Sequence, residues 1–312
     1  MDLWVVISCH ISKKGWRFIA GSSDCSTAKL SKILSDVLLR AMRTLRNKDE
    51  DHIRRTGIRR FFVVERYEEV SMFLNRWRRT GSTRSIRSGD FATMYTTIPH
   101  DILIKAIKLC LDEAFAWAGD ERGIDDASLR IEWAMEDGKP ITRWVRSAGD
   151  SGQLADDYCT FTIKDIMERV TFLVTNTFVV NGGVIRRQIV GLPMGTNCAP
   201  VLANLLLYAY ESTYIDRVKA IDRVRAGLFH ILFRYIDDTL SCDNPHWQRA
   251  MENKEIYPSQ LTLADTTPPV ATDPVHFLGW ILWGTMTVFG FRCMTNVTTL
   301  HSQYDVIHKW RV

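Results

Sequence analysis

The chain of 312 residues is 46% hydrophobic and 24% charged, ordinary proportions for a globular protein with a large core and roughly two domains' worth of structure. Its net charge of +4 does not by itself announce a nucleic-acid binder. Cys9, Cys25, Cys110, Cys159, Cys198, Cys242 and Cys293 lack paired spacing, which excludes a zinc knuckle or disulfide scaffold and suits a reducing, intracellular compartment.

Residues 1–7 are apolar but lack the basic region and long apolar core of a signal peptide. The uncharged run 277–291 is shorter than a membrane span and broken by Gly279, Gly284 and Gly290, so it reads as sheet in a soluble protein with no membrane partner. Charge is unevenly spread. Residues 40–87 are rich in Arg (Arg54-Arg55, Arg59-Arg60, Arg76-Trp77-Arg78-Arg79), whereas 112–157 are acidic. Such asymmetry suggests one face for phosphates and another for water, with solvated helix faces as the alternative for part of these Arg.

In chain order, residues 3–8 read as a buried strand, and 13–20 as a turn and second strand. A capping region at 22–27 precedes a helix over about 28–46, whose Leu30, Ile33, Leu34, Val37, Leu38 and Met42 recur at helical spacing. Residues 47–60 read as an exposed loop, 61–64 as a strand and 67–79 as a helix. The turn-rich stretch 80–85 leads to a strand bearing Asp90, and a helix follows to about Trp117. Beyond Leu129 to Met135, little periodicity marks 119–157. A helix near 163–176 is followed by two β-rich runs joined by Asn181-Gly182-Gly183, a hairpin signal. Gly191 to Pro200 forms a Gly- and Pro-stiffened loop before an apolar helix carrying Leu202, Leu205, Leu206 and Tyr210.

The apolar runs flanking Asp237-Asp238 read as two strands joined by a tight turn. Two adjacent acids at a strand tip are costly unless a cation neutralises them, although alone the pair reads first as a solvated turn. Two further phrases decide for function. "DFATMYTTIPHD" from Asp90, "GLPMGTNCAPVLANLLLYAYE" from Gly191 and "FRYIDDTLS" from Phe233 stand in the order of a reverse transcriptase palm. The wording over roughly 10–282 resembles the Penelope-like and telomerase-like branch of retroelement enzymes.

The resemblance implies an α+β fold: a right-hand polymerase palm, an antiparallel sheet with helices on one face, plus partial fingers and a missing or truncated thumb. Its domains would be partial fingers at 1–87, palm at 88–118, an insertion at 119–157, palm with primer grip at 158–282, and the start of a connection or thumb remnant at 283–312. The implied activity is RNA-directed DNA polymerisation on an RNA template, extending a DNA or RNA primer with deoxynucleoside triphosphates. Asp90, Asp237 and Asp238 would be the catalytic, metal-holding acids, the first two principal and the third supporting. Two Mg²⁺ ions, with Mn²⁺ as substitute, suit an all-oxygen donor set shared with substrate phosphates.

Lys14, Arg17, Phe91, Tyr95, Met194 and Gly195 would line the nucleotide, and Phe277, Leu278 and Gly279 the primer grip. Arg17 can grip two phosphate oxygens at once. Lys14 reads equally as a solvated hairpin tip. Tyr95, five residues after Asp90, would be the steric gate against a 2′-hydroxyl, with simple core packing as the alternative. Met194 stands where many relatives carry Gln. The segment Thr262-Leu263-Ala264-Asp265-Thr266-Thr267 lacks the Lys that in the family protonates pyrophosphate, and Lys254 is out of place for it. The resemblance further implies a nuclear location and other segments of a larger retroelement polyprotein as partners. Two rival readings remain: an inactive, nucleic-acid-binding relic and an RNA-directed RNA polymerase.

Overall fold

The computed structural model describes residues 5–10, 15–20, 25–66, 68–70, 72–73, 85–91, 93–125, 127–147, 158–181, 184–192, 195–270, 275–277, 280–284 and 289–293. For the strands at 5–10, 15–20, 280–284 and 289–293 only the backbone is described. The fold is mixed α/β, with several open antiparallel sheets among helices.

The central sheet has four strands: β3 (Ile86–Phe91), β9 (Leu232–Tyr235), β10 (Asp238–Cys242) and β11 (Leu263–Asp265), in the order β11-β3-β10-β9 and antiparallel throughout. Residues alternate between its two faces. Phe91 and Leu232 join the main core, whereas Phe233, Leu240 and Cys242 join a second cluster with Val64, Val70, Val275 and Phe277. The main core is built by four helices: α1 (Ala28–Thr56), α2 (His100–Arg122), α3 (Ile163–Thr175) and α4 (Ala199–Ile221). One face of this sheet thus meets the main core, and the other meets the smaller cluster.

Helix α1 runs ten residues beyond the expected Arg46. Charge alone made 47–56 resemble a loop, yet nothing there breaks a helix before Gly57. That glycine takes φ +73° and donates its N–H to the Ile53 carbonyl, a left-handed C-cap. The charged turns are also tied down. Asp51 pairs with Arg55, and buried Asp49 accepts the backbone N–H groups of Arg60 and Phe61 at 2.9 and 3.1 Å. The expected strand at 61–64 is instead a single parallel bridge between Val63 and Arg234.

Within the expected insertion, the described residues 127–147 carry regular structure. Strands β4 (Leu129–Glu136) and β5 (Lys139–Arg146) form a hairpin, and β6 (Tyr158–Phe161) pairs on the other side of β4. Glu136 pairs with Lys139 across Asp137-Gly138, both at positive φ (49° and 73°), the two-residue turn that Asp-Gly favours. This sheet docks on α1 through two indoles: Trp133 Nε1 donates to Asp36 at 2.9 Å and Trp144 Nε1 to Thr44 Oγ1 at 3.1 Å.

Further strands form small sheets. Strands β1 (Val5–His10) and β2 (Gly15–Ala20) make one hairpin, β7 (Phe178–Asn181) and β8 (Val184–Arg187) the expected second one, and β12 (Val275–Phe277), β13 (Trp280–Gly284) and β14 (Phe289–Cys293) a three-stranded sheet. No helix among the described residues is long and apolar enough to cross a membrane. Cys25, Cys110 and Cys198 are free thiols.

Candidate active site

Three acids from two separate stretches meet at one end of the central sheet. Asp90, near the end of β3, lies directly opposite Asp238, the first residue of β10. Directly opposed residues of an antiparallel pair project from the same face, so these carboxylates share the face opposite to Phe91 and the main core. Tyr235 also pairs with Asp238, which leaves Ile236 and Asp237 as a two-residue loop. The Asp237 carbonyl accepts the Phe91 N–H at 3.1 Å, which ties that loop to β3. Ile236 has φ +54°, the left-handed value a two-residue hairpin needs at its first loop position. A β-branched residue there is a genuine outlier.

The turn is held from below by a buried polar network. The Arg234 guanidinium, 0% exposed, grips Glu211 of α4, 1% exposed, with Nε to Oε1 at 2.6 Å and Nη2 to Oε2 at 3.1 Å. Its Nη1 donates to Asn204 Oδ1 at 2.7 Å and to the Ile236 carbonyl at 3.2 Å, and its Nη2 to the Asn204 carbonyl at 3.2 Å. Tyr257 Oη donates to Glu211 Oε1 at 2.8 Å, while its ring meets Phe91 edge-on at 4.8 Å between centroids. Burial, followed by the Glu211 charge, pushes the Tyr257 phenol well up, so it stays a donor. Asn204, Glu211 and Arg234 stand inside the phrases that carry the resemblance, without a role readable there, and Tyr257 stands outside them. The signal was available, however: an Arg in the middle of the apolar run Leu232 to Ile236 and a Glu at the end of an apolar helical face must find one another if both are buried.

Tyr95 sits on a short helical turn, Met94–Thr97, just after β3. Burial pushes its phenol above the usual range, and the Asp237 carboxylate pushes it further. It is therefore a neutral hydroxyl beside the acid. The loop at Gly191 packs on this turn: the Gly191 N–H donates to the Ile98 carbonyl and the Leu192 N–H to the Tyr95 carbonyl, each at 2.7 Å. His100 Nε2 meets the Gly191 carbonyl at 3.0 Å. Gly191 has φ +87°, and a Cβ there would run into the Tyr95 carbonyl oxygen and lie 2.9 Å from Thr96 Cα.

The remaining expected residues are placed as follows. Phe91 is buried in the main core beneath Asp90, and Gly195 lies in the loop before α4 at φ +95°. The ring of Phe277 is 3% exposed and packs with Phe233 and Leu240. Lys14, Met194, Leu278 and Gly279 lie outside the described residues, as does the side chain of Arg17. Strand β11 pairs with the free side of β3, with Ala264 opposite Asp90, so the edge beside the acids offers no lysine. Among the described residues, no group of three or more His, Cys, Asp and Glu side chains could hold a metal ion.

Similarity in three dimensions follows this layout. A telomerase from Candida tropicalis in complex with a TWJ fragment of telomeric RNA superposes with a TM-score of 0.59 at 12% identity, over 94% of this chain and 45% of that one. The Candida albicans telomerase with the TWJ fragment gives 0.58 at 14% identity, over 92% and 46%, and apo Candida tropicalis telomerase 0.57 at 13%, over 92% and 48%. The chain has a telomerase-like fold. It spans about half the length of these telomerase chains. No family model matches the sequence, and no curated protein does. A likeness at 12–14% identity concerns the fold, and activity must be argued from the site itself.

Proposed function

We propose that the protein is an RNA-directed DNA polymerase that adds deoxynucleotides to a primer 3′-hydroxyl on an RNA template. The observation that carries this reading is the direct opposition of Asp90 and Asp238, with Asp237 in the adjoining turn and Tyr95 beside it. The reaction is attack of the primer 3′-oxygen on the α-phosphate of a deoxynucleoside triphosphate, with pyrophosphate leaving.

Asp90 and Asp237, supported by Asp238, would hold Mg²⁺ or its substitute Mn²⁺. Their oxygen-only donors suit an ion that takes one or two carboxylates and completes its shell from substrate phosphates; an all-protein cage of three ligands is not needed for that. When bound, such ions offset charge on the attacking and leaving oxygens. The chain's own acids orient the nucleotide and primer end against one another. Tyr95 closes the floor beneath the sugar, where its ring leaves no room for a 2′-hydroxyl. Arg17, Lys14, Met194 and Gly195 are proposed to line the triphosphate and sugar, and the Val275 to Gly279 segment to seat the primer.

The second reading is a relic that binds nucleic acid without polymerising, favoured by the lysine-free segment beside β3 and the absence of a three-membered ligand group among the described residues. Primer extension on an RNA template with Mg²⁺, run beside Asp237→Ala, separates the two. Extension by the wild type that falls roughly a thousandfold or more in the variant supports the polymerase. Retained template binding with no extension in either protein supports the relic.

A further inference from the structure

A guanidinium with no exposed surface is an odd component for the underside of a carboxylate turn. Removing such an ion pair from water carries a large desolvation cost, and well-packed hydrophobic residues of similar volume often give equal or greater stability. Stability alone therefore does not explain why Arg234 and Glu211 are there. Their geometry does. All five N–H donors of Arg234 are used: two on Glu211, two on Asn204 and one on the Ile236 carbonyl. That carbonyl belongs to the peptide joining Ile236 to Asp237, so the bond fixes the plane from which the Asp237 side chain departs. From Glu211 the network continues to Tyr257 and on to the ring of Phe91, the residue after Asp90. Arg234 is also fixed through its backbone, its N–H donating to the Phe62 carbonyl and its carbonyl accepting the Val64 N–H, each at 2.9 Å.

We propose that Arg234 is the positioning residue for the acids: with Glu211, Asn204 and Tyr257 it sets the spacing between Asp237 and Asp90 by clamping the turn and β3 to one buried framework. Its consequence for catalysis rests on the polymerase reading above; its consequence for geometry does not. A five-point planar fork is needed for this, because a lysine ammonium supplies three donors and no plane.

The test compares the full-length wild type with Asp237→Asn, Arg234→Lys and the double variant Arg234→Met with Glu211→Met. The double variant keeps volume and removes both buried charges, so it folds even where the single change does not. Three quantities are read: the melting temperature, Mn²⁺ affinity by electron paramagnetic resonance, and hydrogen exchange of the 235–239 amides against those of β4. The expected result is a double variant that melts no lower than the wild type yet exchanges faster in the turn alone and binds Mn²⁺ roughly tenfold to a hundredfold more weakly, the range for partners that orient metal ligands. Unchanged turn exchange or unchanged Mn²⁺ affinity in a folded double variant overturns the proposal. A wild type that extends no primer but loses Mn²⁺ affinity in both Asp237→Asn and the double variant defeats the polymerase reading and leaves the positioning role standing. Mn²⁺ binding indifferent to Asp237→Asn defeats both.

Discussion

Ile236 holds a left-handed backbone, a conformation that a β-branched side chain adopts only at about 1–3 kcal/mol when its surroundings over-determine it. Here the surroundings are the bond from Arg234 to its carbonyl and that from Phe91 to the Asp237 carbonyl. The strain is thus local to the peptide that aims an acid. Tyr95 is a second residue shaped by its surroundings, by burial first and then by the Asp237 carboxylate. If its ring closes the sugar pocket, Tyr95→Ala opens space for a 2′-hydroxyl, and preference for deoxynucleotides falls by roughly tenfold to a hundredfold, the range for a contact made of shape alone. Competition between ribo- and deoxynucleotides in primer extension measures it. Unchanged selectivity with normal activity would return Tyr95 to the role of a packed aromatic.

Between elements, the Gly191 loop lies close against the helical turn after β3. The atoms nearest an added Cβ there are backbone, which cannot rotate out of the way. Gly191→Ala meets the Tyr95 carbonyl and imposes a side chain at φ +87°. The expected loss is more than about 2 kcal/mol, read as an earlier midpoint in urea at unchanged slope. Gly57→Ala offers the control: its φ is +73°, but nothing lies within 4 Å of the added carbon. Its loss should be the smaller of the two.

At the scale of the molecule, charged groups between the helices couple the fold to pH. Half-buried His52 on α1 faces Arg60, Lys219, Asp216 and Arg55, and burial with the nearby positive charges of Arg60 and Lys219 lowers its pKa from 6.5 to about 4. Lys219 Nζ lies 3.3 Å from His52 Nε2, a contact that requires the ring nitrogen to accept. The unfolded chain binds a proton here at a higher pH than the folded chain does. Stability from this group is therefore present above 6.5 and declines as pH falls toward about 4. Melting temperatures at pH 7 and pH 5 should differ less in His52→Gln than in the wild type. An equal difference in both proteins would remove His52 from the account.

The sequence by itself determined the order of the parts. The two-residue turn at Asp237, the Asn181-Gly182-Gly183 hairpin, the helices over α2 and α4 and the acid at 90 were all legible, because turns, caps and apolar periodicity are local properties of the chain. It misread 47–56 as loop, since charge was taken for exposure, and left the Asp137-Gly138 turn inside the expected insertion unread. Which acids stand opposite one another, and what holds them there, was decided only in three dimensions. Register is set by which faces are buried together, and a buried Arg is tolerable only once Glu211, Asn204 and Tyr257 have converged on it from distant parts of the chain. Those pairings depend on long-range packing, which no short window of residues contains.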